Sequence, residues 1–164
     1  IVKLINQPLL PHKFEIYSCK DYRETCKAIK EMTVRGAGAI GATAGYALAQ
    51  DVLADEKIEV VVSLIKNTRP TAQNLFYAVD RILLKIKNKN SEEAKKIALA
   101  EAQLIADEDA NACKKIGEFC EKLIKDGFRI LTHCNAGWLA FVDYGSALAP
   151  VYLAHRNGKK VFGK

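Results

Sequence analysis

After Gly127 the chain changes its pattern, and that change limits the folds open to it. Up to that glycine the apolar residues recur mostly at helical spacing. Beyond it, Phe128–Leu131 is a short apolar run that reads as a buried parallel strand, bounded by Gly127 before and Asn135–Gly137 after. A Gly-containing loop, a helix over about 146–156, an Asn157-Gly158 turn and a strand over 159–162 follow. That order makes a β-α-β unit, whose crossover is expected to be right-handed. The expected fold class is α/β: a mainly helical domain over 1–127, opened by short strands, then the start of an α/β domain over 128–164. One β-α-β unit cannot cover both faces of its parallel pair. The second domain is therefore expected to be truncated.

The helical part has its own punctuation. Ile1–Ile16 reads as short strands around a Pro8–Pro11 turn. Asp21 is placed to cap a helix running to about Met32, with Cys26, Ile29 and Met32 on one face. A second helix over about 39–53 is rich in small residues, Gly41, Ala42, Ala44, Gly45, Ala47 and Ala49, which let another backbone approach closely. Lys57–Leu64 fits either helix or strand: the Val60–Val62 run favours strand, its charged flanks allow helix. Thr71 is a candidate N-cap for a helix to about Lys87 with Leu75, Val79 and Ile82 or Leu83 inward. Ser91 is a candidate cap for a pattern that continues to about Lys125, long enough that a kink or break near Gly117 is allowed for. Gly127 suits a C′ position.

Charge and cysteine usage narrow the function classes. The 164 residues carry a net charge of +6, mostly from lysines spread along helical faces, which reads as a solvated surface. No compact basic stripe with interleaved aromatics appears, so no nucleic-acid partner is expected. No apolar run reaches membrane-spanning length and no secretory leader opens the chain, so neither a membrane nor export is expected. The 5 cysteines include no C-x-x-C pair, which argues against tetrahedral zinc and thioredoxin-type chemistry. Cys113 and Cys120 share a helical face and read as small buried apolar groups. A reducing, cytoplasmic setting is expected.

Three motifs could carry chemistry. In Val34-Arg35-Gly36-Ala37-Gly38-Ala39-Ile40-Gly41, glycines at a helix start free backbone N–H groups to face an anion, and Arg35 adds a guanidinium able to grip phosphate. A tight interhelical turn explains the same residues equally well. In Asn67-Thr68-Arg69-Pro70-Thr71-Ala72-Gln73-Asn74-Leu75-Phe76, Arg69 precedes another helix start, and Pro70 restricts it to extended backbone; an ordinary cap with a solvated arginine is the alternative. In Thr132-His133-Cys134-Asn135-Ala136-Gly137, a thiol sits at the carboxyl end of the expected strand, where ligands of open α/β sheets collect. Cys134 could act as thiolate or as acid/base, or be a buried structural cysteine. His133 points to the opposite strand face, and a buried, hydrogen-bonded histidine is its expected state.

The runs MTVRGAGAIGATAGYALA (32–49), TRPTAQNLFYAVDR (68–81) and ILTHCNAGWLA (130–140) together resemble the methylthioribose-1-phosphate isomerases of methionine salvage. They resemble more loosely the ribose-1,5-bisphosphate isomerases and the regulatory subunits of translation initiation factor 2B. The resemblance implies an N-terminal helical domain joined to a Rossmann-like domain, a site between them, a homodimer, and no metal or organic cofactor. It assigns the substrate phosphate to Arg35, Gly36, Ala37 and Arg69, and the catalytic thiol to Cys134. The implied reaction converts a 1-phosphorylated aldose to a 1-phosphorylated ketose. Gly38 departs from the proline usual in methylthioribose-1-phosphate isomerases and is more reminiscent of the ribose-1,5-bisphosphate branch. The family's second catalytic group, a downstream aspartate, and the Asn-Lys pair after it have no counterpart in these residues; Asp143 follows the cysteine too closely. The chain is therefore expected to be inactive alone. A non-catalytic sensing subunit is the competing expectation, and Cys134 speaks against it.

Overall fold

A computed structural model describes residues 1–55 and 57–163. The elements follow the order β1 (Val2–Ile5), β2 (Ile16–Cys19), α1 (Tyr22–Lys30), α2 (Ala37–Ala54), α3 (Ile58–Thr68), α4 (Gln73–Ile86), α5 (Ser91–Cys120), β3 (Arg129–Ile130), α6 (Ala149–Arg156) and β4 (Phe162–Gly163). The protein is mostly helical with few strands, an α/β chain. It divides into two compact units, Ile1–Ala106 and a second beginning at Asp107. The division falls inside α5, not at Gly127 where the sequence changes pattern. The end of α5 belongs with the second unit because it packs there: a Cβ on Gly117 would lie 3.4 Å from the Ala149 side chain.

In the first unit, β1 and β2 pair antiparallel, Val2 opposite Cys19 and Ile5 opposite Ile16. Asp21 caps α1, its carboxylate accepting from the Arg23 and Glu24 amides. α2 is buried over most of its length, from Gly38 to Gly45 and again at Ala47–Ala49 and Asp51. A helix apolar on every side can only be a central one, and α1, α3, α4 and β1 all pack on α2. Gly41 is required by one of these contacts. A Cβ there would lie 3.0 Å from both the Asn74 carbonyl oxygen and the Asn74 Cβ. The core holds Ile29, Leu48, Ile65, Leu75, Val79 and Ile82 with almost no exposed surface. Of the inward residues expected for α1, Cys26 and Ile29 are buried, whereas Met32 lies past the helix end at φ +61 and is exposed.

Several local expectations are corrected. Lys57–Leu64, left open between helix and strand, resolves as helix from Ile58, with Val61 and Ile65, one turn apart, buried against the core. Thr71 does not cap α4; Ala72 stands at the N-cap with no side-chain bond. Ser91 begins α5 but does not cap it. The Asn90 carboxamide oxygen accepts from the Glu93 amide, and the Ser91 hydroxyl donates to Asp55. α5 runs unbroken through Gly117, and a 3-10 turn over Glu121–Leu123 ends it. Gly127, at φ +80, is no helix C′ residue; its amide donates to the Lys160 carbonyl, 2.8 Å.

In the second unit β3 and β4 pair in parallel, Arg129 opposite Phe162. The order β3-α6-β4 is the expected one, but each strand is two residues long. The run Phe128–Leu131 is not buried: Leu131 is 84% exposed and Phe128 is exposed too. A hydrophobic run alone cannot distinguish a covered strand from an uncovered one.

Candidate functional site

The first-unit turn before α2 is shaped by backbone. Gly36 is the N-cap of α2 at φ +95, ψ 149, a conformation that glycine adopts without penalty, and no side chain caps the helix. The first-turn amides of α2 are thus left to other acceptors. Segment 6–15 props the turn from outside: the Gln7 amide donates to the Thr33 carbonyl (3.1 Å) and the Gln7 carboxamide to the Arg35 carbonyl (3.5 Å). Arg35 is exposed and its Nε donates to the Met32 carbonyl at 3.2 Å.

The turn before α4 repeats the theme. Arg69 ends α3 at φ −143, ψ 82, outside the helical region as Pro70 requires. Its carbonyl accepts from the Ala72 amide, 3.0 Å. Like α2, α4 starts with no side-chain cap. Arg69 is half-buried and its Nη1 is fully buried without a hydrogen-bond partner among the described residues. A buried guanidinium nitrogen left unpaired costs free energy, and an anion would satisfy it.

These two helix starts share one end of the unit. Gly41 lies against Asn74, and one turn onward Gly45 lies against Ile82. Both numbers rise together, so α2 and α4 run in the same sense. Two uncapped N-termini, each with a positive dipole end, then open in the same direction. Arg35, Gly36, Ala37 and Arg69 all belong to those openings. The sequence pointed to each turn, but it did not show the parallel pairing that Gly41 and Asn74 bring about.

Cys134 belongs to the second unit. It is exposed, four residues beyond the end of β3, and its backbone is left-handed at φ +65. His133 is exposed as well, so the expected buried histidine is corrected. Immediately after the thiol the chain becomes tightly held. Ala136 and Gly137 are buried, and the Ala136 carbonyl accepts from the Ser146 amide at 3.1 Å and the Leu148 amide at 3.4 Å. Gly145, at φ +74, closes this loop so tightly that a Cβ there would lie 2.7 Å from the Gly137 carbonyl carbon. A Cβ on Gly137 would in turn meet the Tyr152 hydroxyl at 2.8 Å. The other thiols are shielded to different degrees. Burial pushes Cys26 up to about 12 and Cys113 up to about 11, and it also raises Cys19; Cys120 is half-buried. Sequence reasoning missed Gly145 and Tyr152, and it took in Asn74 only as part of the Asn67–Phe76 motif, without its contact to Gly41. Their roles are steric, and no periodicity reports them.

Among the described residues there is no cluster of potential metal ligands, and no helix is long and apolar enough to cross a membrane.

A sequence-family model described as the Initiation factor 2 subunit family matches residues 33–162. The methylthioribose-1-phosphate isomerase of Acetivibrio thermocellus is 45% identical over 173 residues, covering 98% of this chain and 51% of the relative. Among solved structures, the 5-methylthioribose 1-phosphate isomerase of Pyrococcus horikoshii OT3 superposes with a TM-score of 0.89 at 39% identity, over 96% of this chain and 48% of that one. The translation initiation factor eIF-2B, subunit delta, from A. fulgidus gives 0.82 at 38% identity, over 98% and 50%. The chain spans about half the length of the relatives it matches.

Proposed function

Because the chain belongs to the Initiation factor 2 subunit family, we propose that it forms the N-terminal part of an aldose–ketose isomerase acting on 5-methylthioribose 1-phosphate, a step of methionine salvage. One observation carries the reading: two parallel, uncapped helix starts, one preceded by an arginine whose Nη1 is buried and unpaired. That end suits a phosphate. The α2 first-turn amides, Arg35, Gly36, Ala37 and Arg69 would hold it. Cys134 supplies the reacting thiol, and its exposure leaves it open to substrate. The anomeric phosphate blocks ordinary ring opening, so an acid first assists opening of the ring. A proton or hydride then moves from C2 to C1, which leaves the composition of the sugar unchanged. The parallel β3–β4 pair, carried by the unit that begins at Asp107, is the opening of a Rossmann-like sheet. The assembled protein is a cytoplasmic homodimer with no metal or organic cofactor.

Ketose formation is measured for this chain alone and for a fusion to the C-terminal half of the A. thermocellus isomerase. The chain alone is expected to be silent and the fusion active. In the fusion, Cys134→Ala abolishes turnover while phosphosugar binding persists, and Arg69→Ala weakens binding. Turnover by the chain alone sinks the account of a missing second catalytic group. Unchanged ligand binding with no turnover in any fusion favours the second reading, a sensing subunit, which the likeness to the eIF-2B delta structure supports. Gly38 raises ribose 1,5-bisphosphate as an alternative substrate; both sugars offered in one assay separate the two, since a second phosphate needs cationic partners and a methylthio group an apolar pocket.

A further inference from the structure

We propose that Asp109 is a positioning residue for the Cys134 loop: from α5 its carboxylate accepts the Val142 amide at 2.8 Å and fixes the far side of the 136–146 loop. The proposal rests on the reading that Cys134 is the working thiol.

The near side of the loop is closed by its own backbone. The Ser146 and Leu148 amides bind the Ala136 carbonyl, and Gly145 presses on Gly137. That closure fixes where the loop begins and ends. It does not fix the tip, where short 3-10 and bend segments over 138–144 lack any ladder of their own. The Asp109 bond ties that tip to a regular element. α5 is suited to provide it. Asp109, Cys113 and Gly117 are spaced i, i+4, i+8 and form one stripe of the helix. Cys113 is buried on that stripe and Gly117 receives Ala149, at the start of α6. One rigid rod therefore holds both the tip of the loop and the helix that follows it. The carboxylate is half-buried, and desolvation raises its pKa against the opposing pull of the Val142 amide. A group that is costly to bury and yet turned onto a loop amide is placed there for geometry. Cys134 stands just ahead of the closed stem in a left-handed backbone conformation. Such a conformation persists only where the surroundings hold it.

The test uses the 164-residue chain and needs no turnover. Asp109→Ala and Asp109→Asn are compared with the unaltered protein by amide hydrogen exchange over residues 136–146 and by iodoacetamide labelling, with Cys134 and Cys113 read separately by peptide mass. Loss of one hydrogen bond to a charged acceptor should speed exchange at Val142 about ten-fold or more in the alanine variant. The rate of Cys134 labelling should change in that variant while Cys113 stays protected. Asparagine keeps an acceptor oxygen at the same place and should restore both readouts. Unchanged loop exchange in Asp109→Ala overturns the proposal. So does failure of asparagine to rescue, or labelling of Cys113 in step with the loop, which marks a general structural role. Should the alanine variant not fold, Asp109→Ser, polar but too short to reach, replaces it under the same criteria. Because no substrate is involved, these outcomes are independent of whether Cys134→Ala abolishes isomerisation in the fusion.

Discussion

The two units are stabilised by different means. The first is organised around α2, whose small side chains let α1, α3 and α4 close in, and its largest core residues are almost fully buried. Its order comes from apolar area removed from water. The second buries mainly small side chains, such as Ala136, Ala140, Ala149 and Ala154, and leaves Phe119, Leu123 and Leu131 exposed. Polar links supplement that thin core. Lys159 donates to the Glu121 and Ile124 carbonyls, the Asp126 carboxylate accepts from the Lys160 amide, and Asp109 accepts from Val142. The unit with a packed core presents backbone amides and arginines. The unit with the thin core presents the thiol on a loop that must be held in place bond by bond. The contrast predicts that substitutions in the first unit act through packing, and those in the second through local geometry.

The largest effect is expected where packing is densest. Leu75→Ala should cost about 2–5 kcal/mol of stability in urea unfolding, because its surroundings in α2–α4 cannot collapse into the space. A loss under about 1 kcal/mol would mean that the first unit is looser than its burial suggests. Next comes Gly41→Ala, for which overpacking against the Asn74 backbone should cost about 1–3 kcal/mol. It should also tilt α2 from α4, so phosphate affinity should fall along with stability. In the second unit Gly145→Ala places a methyl against the Gly137 backbone at positive φ, with a cost on the order of 1–3 kcal/mol. The comparison is sharpened by where that loss appears: faster exchange confined to 136–148, with first-unit amides unchanged.

The same contrast explains what the sequence revealed. Helix α1 and its Asp21 cap, the small-residue face of α2, and the inward Leu75, Val79 and Ile82 were all legible, since periodicity and capping are local. The turns at Gly36 and Arg69 were legible as candidates. Their parallel opening was not, because it depends on Asn74 meeting Gly41 across sequence. Thr71 and Ser91 were plausible caps by residue type, yet Ala72 and Asn90 occupy those positions; boundaries one residue apart look alike in a pattern. Phe128–Leu131 read as buried from its composition, and burial depends on what covers it. Asp109 carries no motif at all. It resembles the other acids of α5 until Val142 is placed beside it.

The smallest effect separates two carboxylates of the second unit by sign. The Lys159 ammonium bonds Glu121 at 2.6 Å and holds its carboxyl below the ordinary value, with help from Asn157. That contribution is complete above the unfolded carboxylate pKa and is lost as pH falls through the folded one. Burial moves Asp109 the other way. Its contribution is present below the unfolded value and is lost as pH rises through the folded one, so near neutrality the ionised group costs stability. Glu121→Gln should therefore lower the urea midpoint near neutral pH and converge with the unaltered chain in acid. Asp109→Asn, which keeps the Val142 bond, should raise the midpoint near neutral pH and likewise converge in acid. Measured between about pH 3 and pH 7, the two difference curves should have opposite signs. If both fall on the same side of zero, Asp109 is better solvated than its position on α5 implies.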